Sequence, residues 1–374
     1  MVCAAGKRCA MYFRGPKSRW QIWVALCMFM TGSLLPWSAV TDGRAPASRE
    51  LDLKRILFAG EVDRHATTHV LLWTQMRSGS SFTGDLLTAS PHTFYTEEPL
   101  RGSKLSGMAE SVAFLKDILQ CRFSEQPRFL NKWLNGVNGH DYRTKLLCPE
   151  FPGVCKGPSL VEAMCRAARA RVVRVVSGEL GVAAALLEDG GLSARVIHLV
   201  RDPRALLASR ERFRNGTHGK YLLAAGMGFR QEEKDPSAVC ARYRRDMAAR
   251  SSFVRLYPDR YVLVRYEDLA LDAERVMRRL YPFMRLPYTA AVASAVAFHT
   301  VRLEEEDHPY STIKNSKSTV FAWRQHLPFR DMERIQRECG DVLEAYGYRS
   351  FHTPREYGDL KVSPLSLTEE EVNR

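Results

Sequence analysis

The stretch Leu71-Leu72-Trp73-Thr74-Gln75-Met76-Arg77-Ser78-Gly79-Ser80-Ser81-Phe82 decides the fold. An apolar run suited to a buried strand stops at a short polar turn, and an amphipathic helical pattern follows through Leu86 and Leu87. A helix that starts directly after a strand presents unpaired backbone N–H groups and the positive end of its dipole at one point, which is a site for an anion, phosphate above all. The Gly-x-x-x-x-Gly-Lys-Ser/Thr signature of triphosphate-binding loops is absent, and Arg77 stands where the turn begins. The expected ligand is a phosphate ester other than a nucleoside triphosphate.

A second run repeats this design. Arg195-Val196-Ile197-His198-Leu199-Val200 is a strand pattern, Arg201-Asp202 a polar turn, and Pro203 an allowed first residue of the next helix. Asp202 suits the cap of that helix, Arg201 stands at the strand's carboxyl end, and Ser209 lies about two helical turns further on, within reach of the same anion. Strand patterns also cover His69–Trp73, Thr93–Tyr95, Arg171–Val176 and Arg260–Val264. Helices are expected over Ser80–Ala89, Ser111–Leu119, Val182–Leu187, Ala238–Leu256, Asp272–Phe283 and Asp331–Tyr346. This alternation predicts an α/β domain with a mainly parallel sheet covered by helices on both faces. The segment Pro127–Pro158, with its prolines and Cys148 and Cys155, reads as an irregular bridged insertion, and the residues after Ser350 show little core pattern.

The chain has 374 residues and a formal net charge of +13. Such a balance favours an acidic partner: nucleic acid, an anionic membrane, an acidic polysaccharide or a polyanionic cofactor. Charge does not choose among them. The first residues form a separate unit. Lys7, Arg8, Arg14, Lys17 and Arg19 precede an apolar run from Trp20 to Val40, near the ~20 residues that cross a bilayer. Positive charge before the run predicts a cytoplasmic tail over 1–19, a transmembrane signal anchor over 20–40 and a short stem over 41–56. A cleaved signal peptide fits less well, because bulky Trp37 stands two residues before Ala39, where a small residue is needed. The globular domain then spans 57–350, with 351–374 as a tail.

Of the nine cysteines, Cys121, Cys148, Cys155, Cys165, Cys240 and Cys339 follow the anchor. An even number in an oxidising lumen permits three bridges, and the spacings leave the pairing open. No Cys-x-x-Cys or spaced histidine pair suggests a metal site. The sequon Asn215-Gly216-Thr217 is compatible with the secretory pathway.

Taken together, Arg-Ser-Gly-Ser-Ser-Phe, Glu-Pro-Leu at 98–100 and Leu-Val-Arg-Asp-Pro-Arg-Ala at 199–205 resemble the Golgi carbohydrate 6-O-sulfotransferases. These act on galactose, N-acetylgalactosamine or N-acetylglucosamine. The likeness runs from about Val70 to Tyr348. It implies the P-loop-like sulfotransferase fold and, as co-substrate, 3′-phosphoadenosine-5′-phosphosulfate (PAPS). It further implies that Arg77, Ser78, Gly79, Ser80, Ser81 and Phe82 hold the 5′-phosphosulfate, and that Arg201 and Ser209 hold the 3′-phosphate. Tyr266 resembles a strand-end tyrosine near the cofactor. Lys314, Asn315, Ser316, Lys317 and Ser318, with Trp323 and Arg324, resemble a loop over the nucleotide. Glu98 is the expected general base, with Arg77 neutralising the leaving phosphate, and Glu97 should point the other way along an extended segment. His92, His140 and His198 are alternative bases, although His198 suits a packed strand position.

The expected partners are a glycan or glycosaminoglycan acceptor and the Golgi membrane, with no nucleic acid and no metal, in a type II protein whose catalytic domain is lumenal. The alternatives are a protein-tyrosine sulfotransferase and a membrane-anchored binder of acidic glycans without activity. A kinase-like enzyme fits less well, for want of the Gly-Lys-Ser/Thr turn and of an acidic magnesium ligand after a strand.

Overall fold

A computed structural model describes residues 67–135, 158–220, 229–300 and 315–373, apart from residues 102, 104, 106 and 218. The expected tail, anchor and stem, His140, Cys148, Cys155 and Lys314 lie outside the described residues. Among the described residues no helix is long and apolar enough to cross a membrane.

Five strands, β1 (Thr68–Thr74), β2 (Thr93–Glu97), β3 (Ala170–Val175), β4 (Ala194–Val200) and β5 (Tyr261–Arg265), form one sheet in the order β2-β3-β1-β4-β5. Every neighbouring pair is parallel, with Leu71 of β1 opposite Val173 of β3 and Val196 of β4. The β1 sequence is apolar on both faces because both are covered, as a central parallel strand requires. Side chains alternate: Leu71 and Trp73 enter one core with Val173, Val175 and Val196, while Val70 and Leu72 enter the other with Val172, Ile197 and Leu199.

The first core is closed by α2 (Met108–Leu119), α4 (Pro158–Ala167), α5 (Val182–Glu188), α6 (Pro203–Asn215) and α7 (Pro236–Leu256), with α12 (Phe329–Glu338) and α13 (Gly340–Ala345) outside them. The second is closed by α1 (Ser80–Leu87), α8 (Tyr266–Leu271), α9 (Ala273–Phe283) and α10 (Ala290–Thr300). Short helices α11 (Ser316–Thr319), α14 (Pro354–Gly358) and α15 (Glu369–Val372) complete the described part. From β1 the chain turns toward β2 and β3, and from β4 toward β5. The crevice at the carboxyl ends of β1 and β4 is therefore the topological switch point of the sheet, where open α/β folds bind ligands.

Four expectations need correction. The segment from Pro127 is not irregular at its start: α3 covers Pro127–Asn135, because proline is tolerated at a first helical position and Phe129, Leu130, Trp133 and Leu134 recur at helical spacing. The single helix expected over Asp331–Tyr346 is two, interrupted at Cys339 (φ −115°, ψ 15°), whose sulfur is bonded to Cys240 of α7. A second bridge joins Cys121 to Cys165, with Cα atoms 5.7 Å apart. The residues after Ser350 are not a loose tail, since Phe351, Tyr357 and Val372 are buried in the first core.

The fourth concerns Trp323 and Arg324. Both are buried, and the Arg324 guanidinium donates to the carbonyls of Glu356, Tyr357, Asp359 and Val362. With each guanidinium nitrogen donating to the backbone of α14 or the residues just after it, Arg324 fastens that segment.

Candidate active site

The turn after β1 is shaped by backbone that L-residues rarely adopt. Arg77 has φ 71° and Gly79 φ 87°, both left-handed. Gly79 is required for a second reason: a Cβ there would lie 2.2 Å from the Tyr266 ring. Three arginines take up carbonyls around this turn. Arg242 donates to Thr74 O (3.2 Å), Arg210 donates to Met76 O through Nε (3.1 Å) and Nη2 (3.0 Å), and Arg201 donates to Arg77 O (2.8 Å). With the oxygens engaged, the turn offers its N–H side. α1 has no side-chain cap, and its first backbone bond runs from Thr83 N to Gly79 O (3.0 Å), so the N–H groups of Ser80, Ser81 and Phe82 precede the helix's own acceptors. The Ser78 hydroxyl is fully buried and makes no hydrogen bond among the described residues. A buried orphan hydroxyl beside open helix donors fits an anion with several oxygens.

The second turn stands alongside because β4 pairs with β1. The Asp202 side chain caps α6 by accepting from Arg204 N (2.9 Å), and Arg204 is fully buried against the same carboxylate rather than exposed. Arg201 lies with its guanidinium 4.7 Å from the Tyr266 ring centre, and the Arg77 Nε donates to Ser209 Oγ (3.3 Å). Arg77, Arg201, Ser209 and Tyr266 are thus brought together at the carboxyl ends of β1 and β4. Tyr266 is not a strand-end residue but the first of α8, and its buried ring is the wall between Gly79 and Arg201. Phe82 meets that ring edge-on at 6.4 Å.

Lys317 and Ser318 stand on α11, both exposed. Buried Ser316 ties α11 to α8 by donating to Ala270 O (2.7 Å). No described contact joins Lys317 or Ser318 to Arg77 or Arg201.

Glu98 follows β2 directly and has φ 45°, a left-handed value that breaks the extended alternation. For that reason Glu97 and Glu98 do not point apart: both carboxylates meet one guanidinium, that of Arg174 in β3, with Glu98 Oε1 accepting from its Nη2 at 2.7 Å. The other arm of Arg174, Nη1, donates to Ser81 Oγ (2.8 Å) in the first turn of α1. Arg101 Nη1 donates to Glu98 Oε2 (2.9 Å). Arg174, 3% exposed, was not among the expected site residues. A charged residue between the buried valines of β3 is its one sequence signal, since arginine is rarely buried unless paired.

Two of the alternative bases, His198 and His92, lie elsewhere. His198 is buried, shares a hydrogen bond with Tyr261 OH (2.8 Å), and burial pushes its pKa down to about 3. His92 precedes β2 and stands at the opposite, amino-terminal edge of the sheet. Among the described residues no group of acidic, histidine or cysteine side chains has the arrangement of a metal site.

Comparison with known proteins gives the family. The sulfotransferase domain family matches residues 67–347. Carbohydrate sulfotransferase 5 of Mus musculus is 30% identical over 341 residues, which cover 79% of this chain and 85% of that protein. Carbohydrate sulfotransferase 1 of the same species is 28% identical over 350 residues, 81% and 84% of the two chains. A solved sulfotransferase domain from the Synechococcus PCC 7002 olefin synthase superposes with a TM-score of 0.44 at 17% identity, over 78% of this chain and 99% of its own. The family match spans both anion turns, β2 and Glu98 in one continuous domain, and by that match and the carbohydrate relatives the chain belongs to the carbohydrate sulfotransferase family.

Proposed function

We propose that the protein transfers a sulfuryl group from PAPS to the 6-hydroxyl of a galactose, N-acetylgalactosamine or N-acetylglucosamine unit in a glycan or glycosaminoglycan. One observation carries this reading: Arg77 and Arg201, from the turns after adjacent strands, meet at the switch point, with Ser209 bonded to Arg77 and a buried Ser78 hydroxyl beside open helix donors. Such a pair suits a ligand with phosphates on both sides of its ribose. PAPS, when bound, supplies the sulfuryl group.

In this reading Arg77, the Ser78 hydroxyl and the N–H groups of Gly79, Ser80, Ser81 and Phe82 hold the 5′-phosphosulfate. Arg201 and Ser209 hold the 3′-phosphate, and Tyr266 keeps the two turns apart. Glu98 takes the proton of the acceptor hydroxyl, while Arg77 and the helix N–H groups oppose the charge that grows on the leaving phosphate. Fixing donor and acceptor in line contributes in the same way as in phosphoryl transfer. Arg174 links Ser81 to Glu98 and so fixes the base relative to the phosphosulfate turn. Lys317 and Ser318 contribute to nucleotide binding from the short helix α11.

The reading also puts the catalytic domain in the Golgi lumen behind a signal anchor at 20–40, and the bridges Cys121–Cys165 and Cys240–Cys339 support an oxidising compartment. Incubation of the full chain with radiolabelled PAPS, desulfated glycans and tyrosine peptides tests the function. Label on a sugar 6-hydroxyl is expected. Label confined to peptide overturns the carbohydrate assignment.

A further inference from the structure

The reaction above makes no use of Glu267, the second residue of α8. Its carboxylate is 1% exposed and stands directly behind the second turn. Oε1 accepts from Asp202 N–H (3.1 Å), and Oε2 accepts from the hydroxyl of Tyr348 (2.9 Å). No basic side chain bonds to it among the described residues. Burial and the Asp202 carboxylate push its pKa up to about 7, against the opposing Arg201 guanidinium. An acid in so dry a place is costly, and it would be simpler to fill the space with an apolar residue.

The peptide it meets is gripped from the other side as well. Tyr243 of α7 donates its hydroxyl to Arg201 O (2.6 Å). The Asp202 carboxylate faces Arg204, accepting from its Nε (3.0 Å) and Nη2 (2.8 Å). Glu267 is the acceptor for the Asp202 N–H. Tyr348, which steadies Glu267, is paired with Leu365 by an antiparallel bridge. Arg265, at the head of the same α8, donates to the carbonyls of Tyr346, Gly347 and Leu367. The backbone under Arg201 is therefore tied through α8 to the segment that follows α13.

We propose that Glu267, held by Tyr348, is a positioning residue for nucleotide binding: it fixes the Asp202 N–H and thereby aims Arg201 and the start of α6 at the 3′-phosphate. The proposal rests on the PAPS reading. It separates Glu267 from Arg77 and Glu98, which face the reacting group. Loss of Glu267 moves the affinity for the nucleotide and leaves turnover at saturating nucleotide in place, because misplacing a binding group by a fraction of an ångström weakens binding before it touches the chemistry.

The test is calorimetric binding of 3′-phosphoadenosine-5′-phosphate (PAP) to the full chain and to Glu267→Ala, Glu267→Gln and Tyr348→Phe, with PAPS kinetics beside it. Glu267→Ala should bind PAP about tenfold more weakly, with a matching rise in KM for PAPS and kcat within about twofold. Glu267→Gln should stay within about threefold, since its amide oxygen still accepts from Asp202 N–H. Tyr348→Phe should fall between the two. A folded Glu267→Ala variant with undiminished PAP affinity, or one that loses kcat while KM holds, overturns the proposal. Where Glu267→Ala does not fold, an unchanged PAP affinity in Tyr348→Phe overturns it. A wild-type chain that does not bind PAP at all overturns the PAPS reading and this proposal together, whereas wild-type binding with indifferent variants removes the proposal alone.

Discussion

At the end of β1 the turn contains two left-handed residues, Arg77 and Gly79, a buried hydroxyl without a partner and a helix without a side-chain cap. At the end of β4 the backbone has no left-handed residue, the helix is capped by Asp202, and the Arg201–Asp202 peptide is bonded through both its carbonyl and its N–H. The same strand–turn–helix plan is thus built once with helix donors left open and strain retained, and once with its turn peptide and helix cap satisfied. A site that must follow charge as it moves needs the first form, and a site that only has to hold a fixed phosphate is served by the second.

This contrast can be broken at its open end first. Glu98→Gln should lower transfer about 10²- to 10⁴-fold, the range for a general base, while PAP affinity by calorimetry stays at the wild-type value. Retained turnover would remove Glu98 from its role. The two arginines should then part company. Arg201→Ala is expected to weaken PAP binding by roughly ten- to a hundredfold with little change in kcat at saturation, and Arg77→Ala to depress kcat as well as affinity. Identical kinetic signatures from the two variants would erase the distinction drawn between the turns.

A smaller effect concerns stability. Gly79→Ala forces a Cβ into the Tyr266 ring at a left-handed position and should cost about 1–3 kcal/mol by chemical denaturation, whereas Pro203→Ala at the second turn should cost less than about 1 kcal/mol. Smallest is a pH effect. Burial holds Glu267 up at about 7 and Asp246 up at about 6, so between about pH 4 and 7 the folded chain binds protons that the unfolded chain has released. These two carboxyls therefore contribute a fall in stability as pH rises through that window, opposite in sign to the contribution of buried His69 and His198, whose pKa values burial holds down at about 4 and about 3. The Glu267 part is read by difference: relative to wild type, Glu267→Gln should gain stability as pH rises from 4.5 to 8, as measured by melting temperature.

The parallel sheet and the approach of Arg77, Arg201 and Ser209 are legible in the sequence, each following from an apolar strand, an abrupt polar turn and a helix, all local patterns. Tyr266, by contrast, is pointed to only by the family resemblance. Arg174 is not legible, because its partners Glu97 and Glu98 lie 77 and 76 residues away and nothing local says that a strand arginine turns inward. The pairing of Glu97 with Glu98 escapes for a related reason. Alternation along an extended segment holds until a residue takes φ 45°, and no glutamate advertises that it will. Trp323 and Arg324 show the opposite failure: a Trp-Arg pair reads like ligand chemistry, yet the guanidinium is spent on backbone carbonyls.

That Arg324 clasp and the Tyr348–Glu267 bond have a consequence in time. During synthesis the strands and both anion turns emerge before residue 270, but the backbone that Arg324 and Arg265 grip, and the hydroxyl that steadies Glu267, emerge only with the last stretch of the domain. Chains grow at about 5–20 residues per second, so the cleft stays unfinished for several seconds after its walls exist. A nascent chain in that interval holds an arginine-rich crevice that is not yet aimed, which leaves nucleotide capture as a property of the completed protein rather than of its first two-thirds.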